Sequence, residues 1–382
     1  MYKEPVGHEM AGNLHSKRLP TAYETFMEEQ GIPIFRGLAL YDVRQQALAP
    51  WKRMGGRGAF IHLDSMEDLW GMYLVEVPAG GVLNPERHIY EEVFLVIEGH
   101  GTTEVWRESA KRQTFEWQPG TNFAVPINTA HRLVNATSSP ALLLVCTAAP
   151  PLMNIIQNQK FIFDNPFNFS ERYDESEDYF KPREQLEAAP GHGRAMLRSS
   201  VIPDAAHCYL PLDNNRGPGH RHLFPDMANN TYFMGFIAEY PSGRYSKAHY
   251  HDAGMTLICL RGKGFTLNWP VELGPRPWET GKGHLVKRAD YIPGGVVSAA
   301  PGGGNWFHQH FGVGKEPLRV RAIGHRRPLG VGGEEVLGAG AELGEGGSSV
   351  SYREEDPYVR KIYQEALAKE GVKFEMPDSV YA

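Results

Sequence analysis

Cysteine is scarce in this chain of 382 residues. Cys146, Cys208 and Cys259 are the only three, and no two of them stand in a CxxC spacing. That argues against a disulfide framework and for a reducing compartment. No apolar run approaches the roughly 20 residues of a membrane span, and residues 1–20 contain no apolar core of the signal-peptide kind. The expected location is therefore the cytoplasm, with no membrane partner. Charge of one sign is missing too. The 39 Lys and Arg against 45 Asp and Glu give a formal net charge of -6 with no basic block, which argues against a nucleic-acid partner.

What is present is an ordinary globular composition, 41% hydrophobic and 22% charged. With 42 Gly, 28 Pro, 17 Tyr and 18 Phe it leans toward a turn-rich β protein. The spacing predicts one helix over residues 21–30, entered by Pro20 and stopped by Gly31, and the Gly-rich MGGRG near residue 56 reads as a loop. From Trp70 onward short β-rich segments alternate with Gly, Pro and Asn, the rhythm of an antiparallel sandwich or barrel. Residues 154–190 break that rhythm. They are aromatic and acidic, and read as a connection that packs by its aromatics, with some helix near its end. A second β-rich block then repeats the order of events in the first, which predicts two homologous barrels. The expected division is 1–65 for an N-terminal segment with a helix, 66–152 for the first barrel, 153–195 for the connection, 196–327 for the second barrel, and 328–382 for a Gly-rich mobile loop and a C-terminal helix. That helix, over 356–369, presents Tyr358, Ile362, Tyr363 and Ala366 on one face.

The chemistry centres on GRYSKAHYHDAGMTLICLRG, residues 243–262. In an extended strand His249 and His251 point to the same face. His308 downstream completes three neutral nitrogen ligands, which suit Fe, Cu, Ni and Zn alike. His310 alternates with His308 on one strand face, as a further ligand or a donor behind the ligands. Asp252 points to the opposite face from His251. Four histidines on two segments outweigh the reading that they are merely buried and hydrogen-bonded. In the first block Glu86, His88, Glu92 and His131 offer a two-His, two-carboxylate set for a hard ion such as Mn or Fe. The alternative is a degenerate scaffold in which Glu86 pairs with Arg87 or Arg132. Arg244, Tyr245, Trp269 and Trp306 lie near the second set, and are candidates for binding an aromatic acid or for core packing. The GHRH stretch at residues 219–222 reads as a solvated polar loop, and Gly262-Lys263-Gly264 opens no helix, so it is no dinucleotide motif.

These spacings resemble the cupin superfamily, whose motifs run G-x5-H-x-H-x3,4-E-x6-G and G-x5-P-x-G-x2-H-x3-N. Gly80, Glu86, His88, Glu92 and Gly99 fall on the first motif with Glu86 in place of a His. Gly120, Pro126, Asn128, His131 and Asn135 fall on the second, with Asn128 in place of a Gly. In the later block Gly243, His249, His251 and Gly262 match, but Met255 or Thr256 stands where Glu belongs. Pro301, Gly303 and His308 resemble the second motif with two extra residues before the His and Gly312 in place of Asn. The resemblance implies an all-β fold of two cupin (jelly-roll) β-barrels with peripheral helices, and a homo-oligomer. Reaction is less determined, because one fold hosts many chemistries. The three-His set without Glu is similar to gentisate and cysteine dioxygenases, which implies Fe(II) and an oxygen-using enzyme acting on a small aromatic or oxygenated acid. The alternatives are a Mn or Zn decarboxylase, hydrolase or isomerase, resembling oxalate decarboxylase in its two-site layout, and a non-catalytic small-molecule-binding protein.

Overall fold

Strand segments such as ALLLVCT are apolar at every position, so each must be covered on both faces. The computed structural model, which describes residues 18–107, 111–191, 193–251, 254–301, 305–325 and 340–382, shows how. In Ala141–Thr147 the side chains of Leu143 and Val145 fill the interior of a first barrel. Leu142, Leu144 and Cys146, on the opposite face, join a separate core with Ile237, Ile258 and Ile323 of the second barrel. The two barrels thus stand back to back across one shared apolar layer. Trp70 Nε1 donates to Thr256 Oγ1 (3.3 Å) and Arg321 Nε to Asn122 Oδ1 (3.0 Å) across it.

Each barrel is a large sheet facing a sheet of three strands. The first large sheet runs Ile34–Gly37, Gly56–Leu63, Gly71–Val77, Ala141–Thr147, Glu92–Glu98, Asn122–Val125 and Val201–Ile202, with Ala49–Trp51 beside Gly56–Leu63. Its partner sheet is Ala130–Val134, Gly101–Trp106 and Gln113–Trp117. In the second barrel the order Phe233–Tyr240, Leu318–His325, Met255–Arg261, Val296–Ala299 repeats that of Gly71–Val77 through Asn122–Val125. It faces Lys287–Tyr291, Gly264–Pro270 and Trp306–Gly312. The halves also exchange an edge. Ala39–Leu40 pairs with Val296–Ala299, and Val201–Ile202 with Asn122–Val125, so each sheet ends on a strand from the other half of the chain.

Several sequence expectations change here. The boundary placed at residue 66 does not follow the strand pairing, because Ile34–Gly37 and Gly56–Leu63 belong to the first sheet. MGGRG is the start of a strand, and its glycines serve close approach. A Cβ on Gly58 would lie 2.5 Å from Trp51 Cε3 and 2.8 Å from the Leu74 carbonyl oxygen. The first helix, Ala22–Glu29, is capped by Thr21, whose hydroxyl accepts from Glu24 N while the Glu24 carboxylate accepts from Thr21 N. The connection does pack by its aromatics, with Tyr173 and Phe180 in the first core, but its helices Ala149–Ile156 and Gln159–Phe163 lie at its start, not its end. The terminal helix Pro357–Glu370 buries Val359, Tyr363 and Leu367, one position round from the expected face, leaving Tyr358 exposed. The Tyr363 hydroxyl sets that rotation, reaching Gly312 O (2.8 Å) and Arg244 O (2.9 Å). Most of the expected Gly-rich loop, together with Asp252 and Gly303, lies outside the described residues. The rest of that loop is an ordered clasp on the second barrel: Tyr250 N donates to Ser348 O (3.1 Å) and Val350 N to Ala248 O (2.8 Å). Among the described residues no helix is long and apolar enough to cross a membrane.

Candidate metal centres

The first centre is built where the segment 86–92 runs into Glu92–Glu98 and meets Ala130–Val134. Glu86 and His131 exchange backbone hydrogen bonds of 2.8 and 2.9 Å, which brings the two motifs together. His88, Glu92 and His131 each offer a ligand atom within 4.8 Å of the others, all three buried. His88 Nδ1 lies 3.0 Å from Tyr90 O and His131 Nδ1 3.2 Å from Thr129 O. Those carbonyls hold the Nδ1–H tautomer and leave both Nε2 atoms as donors to a metal. The Glu92 carboxylate sits 3.1 Å from His88 Nε2 and accepts from Tyr73 Oη (2.9 Å). Burial alone would raise Glu92, yet His88 and the hydrogen bonds outweigh it and hold the carboxyl below its ordinary range. Burial, aided by His88, pushes His131 down to about 4. Two imidazole nitrogens and one ionised carboxylate fit a divalent ion.

Glu86 stands apart from this triple. It pairs with neither Arg87 nor Arg132: Arg87 bonds Asn128 and Asn165, and Arg132 bonds Glu104. Its partner is Arg53, from the turn before Gly56–Leu63. Burial raises Glu86, and Arg53, followed by His88, opposes the rise. Arg53 in turn lies over the Phe163 ring at 3.9 Å. The pair closes a cavity of about 20 Å³ walled by Trp51, Phe60, Tyr73 and Tyr90. That is space for one water molecule.

The second centre repeats the construction. His249 and His308 exchange backbone hydrogen bonds of 3.1 and 2.8 Å, as Glu86 and His131 do. His249, His251 and His308 bring their ligand nitrogens within 4.8 Å of one another. His249 Nδ1 is 3.2 Å from Lys247 O and His308 Nδ1 3.3 Å from Trp306 O, again freeing Nε2. Met255 begins its strand where Glu92 begins the equivalent one, and points into the barrel with Leu257 and Cys259. Thr256 faces the other way, toward Trp70. This centre therefore has no carboxylate among the described residues of its triple. His310 stands outside the triple, with Nδ1 2.9 Å from Tyr291 Oη, and burial, then Arg216, pushes it down to about 3.

Four expected neighbours do not bring their side chains to the site. Strand alternation would put Tyr245 on the face of His249, but the pairing slips by one residue between Tyr245↔Phe311 and His249↔His308. The slip turns Tyr245 outward, where its hydroxyl donates to Glu355 under the C-terminal tail. Arg244 lines an outer cleft with Lys247 and Glu342. Trp306 reaches the centre through its backbone carbonyl alone, and its ring lies under Lys287 at 5.2 Å. Trp269 is core, with Nε1 on Gly274 O at 2.9 Å. The GHRH stretch is not a solvated loop: His220 and His222 are 2% and 3% exposed, inside the second barrel. Their i, i+2 spacing is the one that singled out His249 and His251, and was the signal available for them.

Residues 73–147, the heart of the first barrel, match the family described as the cupin domain. The second barrel repeats that strand order and the same joining of two motifs. The chain is a bicupin. No curated protein matches its sequence. Solved structures similar to this bicupin include a Bacillus subtilis oxalate decarboxylase with a two-residue deletion, at 10% identity, 75% of this chain, 76% of that chain and a TM-score of 0.46. A form of the B. subtilis enzyme studied for its Mn(II) centres gives the same identity, coverage and TM-score (10%, 75%, 76%, 0.46). At this level the likeness says nothing about what the bicupin binds.

Proposed function

We propose that this bicupin is a metal-dependent enzyme that removes CO2 from a small carboxylic acid in its first barrel, without consuming dioxygen. The observation that carries the reading is the buried His88–Glu92–His131 triple beside a water-sized cavity whose one lining cation, Arg53, is held by Glu86. A hard divalent ion, Mn(II) before Zn(II), would be held by the three side chains and would act there as a Lewis acid on carboxylate oxygen. Arg53 is the anchor for the substrate carboxylate, in the planar two-point geometry that guanidinium offers. An entering acid takes Arg53 from Glu86. Glu86 then loses the charge that opposed its rise and takes up a proton. When the C–C bond breaks, CO2 leaves and the electron pair stays on the substrate carbon. The Glu86 proton forms the new C–H bond, and Glu86 returns to Arg53 as carboxylate. Trp51, Phe60 and Tyr90 keep bulk water from the carbanion.

A second reading is an Fe(II) dioxygenase acting on a hydroxylated aromatic acid at the three-His centre. It is favoured by Met255 standing where the first barrel has Glu92, so that a bound ion keeps its full double charge. Gas exchange separates the two. Protein loaded with Mn(II) is given oxalate, 2-oxo acids and hydroxybenzoates, and CO2 and O2 are followed together. CO2 release under argon, abolished by Arg53→Met, is the expected result. O2 uptake with Fe(II), abolished by His251→Ala and with no anaerobic CO2, would overturn the first reading in favour of the second.

A further inference from the structure

The third histidine of each centre has a different neighbour across its ladder. His131 pairs with Val105, between the strands Ala130–Val134 and Gly101–Trp106. His308 pairs with Asn268, between the strands Trp306–Gly312 and Gly264–Pro270. Residues directly opposite on antiparallel strands share a face, with Cβ atoms about 4.5–5.5 Å apart. Val105 and Asn268 are both fully buried. The first barrel thus sets an apolar side chain beside its third histidine, and the second sets an amide there. The barrels differ at one more matching position, where Met255 begins its strand as Glu92 begins the equivalent one. The second centre lacks the carboxylate of the first and has a hydrogen-bond donor that the first lacks.

Strand alternation and one hydrogen bond orient that amide. Phe265, Leu267 and Trp269 turn to the core beneath the C-terminal helix, so Asn268 turns to the barrel interior with His308. Asn268 Oδ1 accepts from Ala300 N (3.1 Å). A backbone N–H only donates, so this bond fixes which amide atom is the oxygen. Nδ2 keeps both of its N–H groups, and among the described residues it has no hydrogen-bond partner. A buried donor left so is completed by a ligand or by ordered water. Valine in the matching place of the first barrel shows that the fold itself does not require an amide. Charge indicates what the donor meets. Three imidazoles leave a bound divalent ion its full double charge. After burial, Arg216 is the next influence that keeps His249 and His310 unprotonated, so a further cation stands near the rings. Such surroundings favour an anion.

We propose that Asn268 is a ligand-binding residue of the second barrel, whose Nδ2 donates to an anionic oxygen of a small acid coordinated at the three-His centre. The amide selects by atom type. An ionised oxygen bound to a metal keeps lone pairs and accepts from Nδ2. A neutral imidazole nitrogen spends its lone pair on the metal and accepts nothing. The two centres would then sort anions by different donors, Arg53 in the first barrel and Asn268 in the second. Binding makes a coordinate bond and a hydrogen bond, with no electron transferred. The proposal rests on the second barrel binding a metal, and is independent of decarboxylation in the first.

The test has two arms. In the first, salicylate and imidazole are titrated separately into the full chain loaded with Co(II). The visible change that His251→Ala abolishes reports the second centre. Asn268→Val, which copies the first barrel, is expected to weaken salicylate about 10- to 100-fold, the worth of a hydrogen bond to a charged acceptor. Imidazole affinity and cobalt content should stay as they are. Unchanged salicylate affinity, equal weakening of both ligands, or no salicylate signal that His251→Ala removes would overturn the proposal. The second arm needs no substitution at Asn268 in the protein that binds. In the 15N-labelled Zn(II) protein the Asn268 side-chain amide is assigned by its absence from Asn268→Asp. Salicylate is expected to move one of its protons downfield, and imidazole to leave both in place. An amide that salicylate does not move overturns the proposal even where Asn268→Val fails to fold.

Discussion

Replacing Arg53 by Met leaves Glu86 in the same buried place without its counter-charge. Arg53 and Glu86 side chains are 25% and 9% exposed, so the pair is largely desolvated. Removing one partner of such a pair costs about 3–5 kcal/mol when the survivor stays charged. Glu86 has a cheaper escape, which is to bind a proton. Burial already raises it, and Arg53 resists that rise more than His88 does. The cost at pH 7 is then bounded by the work of protonating an ordinary Glu at that pH, about 3–4 kcal/mol. The sign follows from linkage. A carboxyl whose folded pKa is raised gives a stability that is complete below the unfolded pKa and is lost as pH climbs to the folded one. The deficit of Arg53→Met should therefore widen from pH 5 to pH 7 by up to about 2.7 kcal/mol, at about 1.4 kcal/mol per unit. Urea unfolding at the two pH values measures it, and Arg53→Met with Glu86→Gln should recover most of the loss at pH 7. An equal deficit at both pH values, or no recovery in the double variant, would refute the account of this pair.

Other consequences are as direct. Tyr73→Phe removes the hydroxyl that donates to Glu92 Oε1 at 2.9 Å, and first-barrel metal affinity should fall about 10- to 100-fold in a chelator competition; unchanged affinity would mean the hydroxyl does not orient the ligand. Glu355, hydrogen-bonded by Tyr245 and Gln309, is pushed by burial up to about 7. Its contribution to stability is present below the unfolded carboxylate pKa and is lost by about pH 7, at about 1.4 kcal/mol per unit. Glu355→Gln should flatten the stability curve between pH 5 and 7, and an unaltered slope would count against it. Gly58→Ala places a methyl 2.5 Å from Trp51 Cε3 and 2.8 Å from the Leu74 carbonyl. It should cost about 1–3 kcal/mol by thermal unfolding, and a neutral result would show that the strand pair has room to spread.

The duplicated architecture was legible because motif spacing and strand rhythm repeat, and because His88, Glu92 and His131 carry fixed separations through a fixed fold. What escaped depends on pairing between distant segments. Arg53 lies 33 residues before Glu86, in a stretch that reads as a loop. Tyr245 was misplaced by a one-residue slip that alternation within a single strand cannot reveal. The exchanged strands Ala39–Leu40 and Val201–Ile202 are two residues each, too short for any period. The terminal helix turned by one position because a tyrosine hydroxyl found two carbonyls, a tertiary constraint absent from its own pattern. His220 and His222 were passed over because their Gly and Pro neighbours suggested solvent, though their spacing matched that of His249 and His251.

The most direct test of two separate centres, one in each barrel, is metal content per chain in the protein purified without added metal, in His131→Ala and in His251→Ala. Two equivalents in the unsubstituted chain and one in each variant is the expected result. Two equivalents retained in both variants, or a single equivalent in the parent lost in neither, would contradict it.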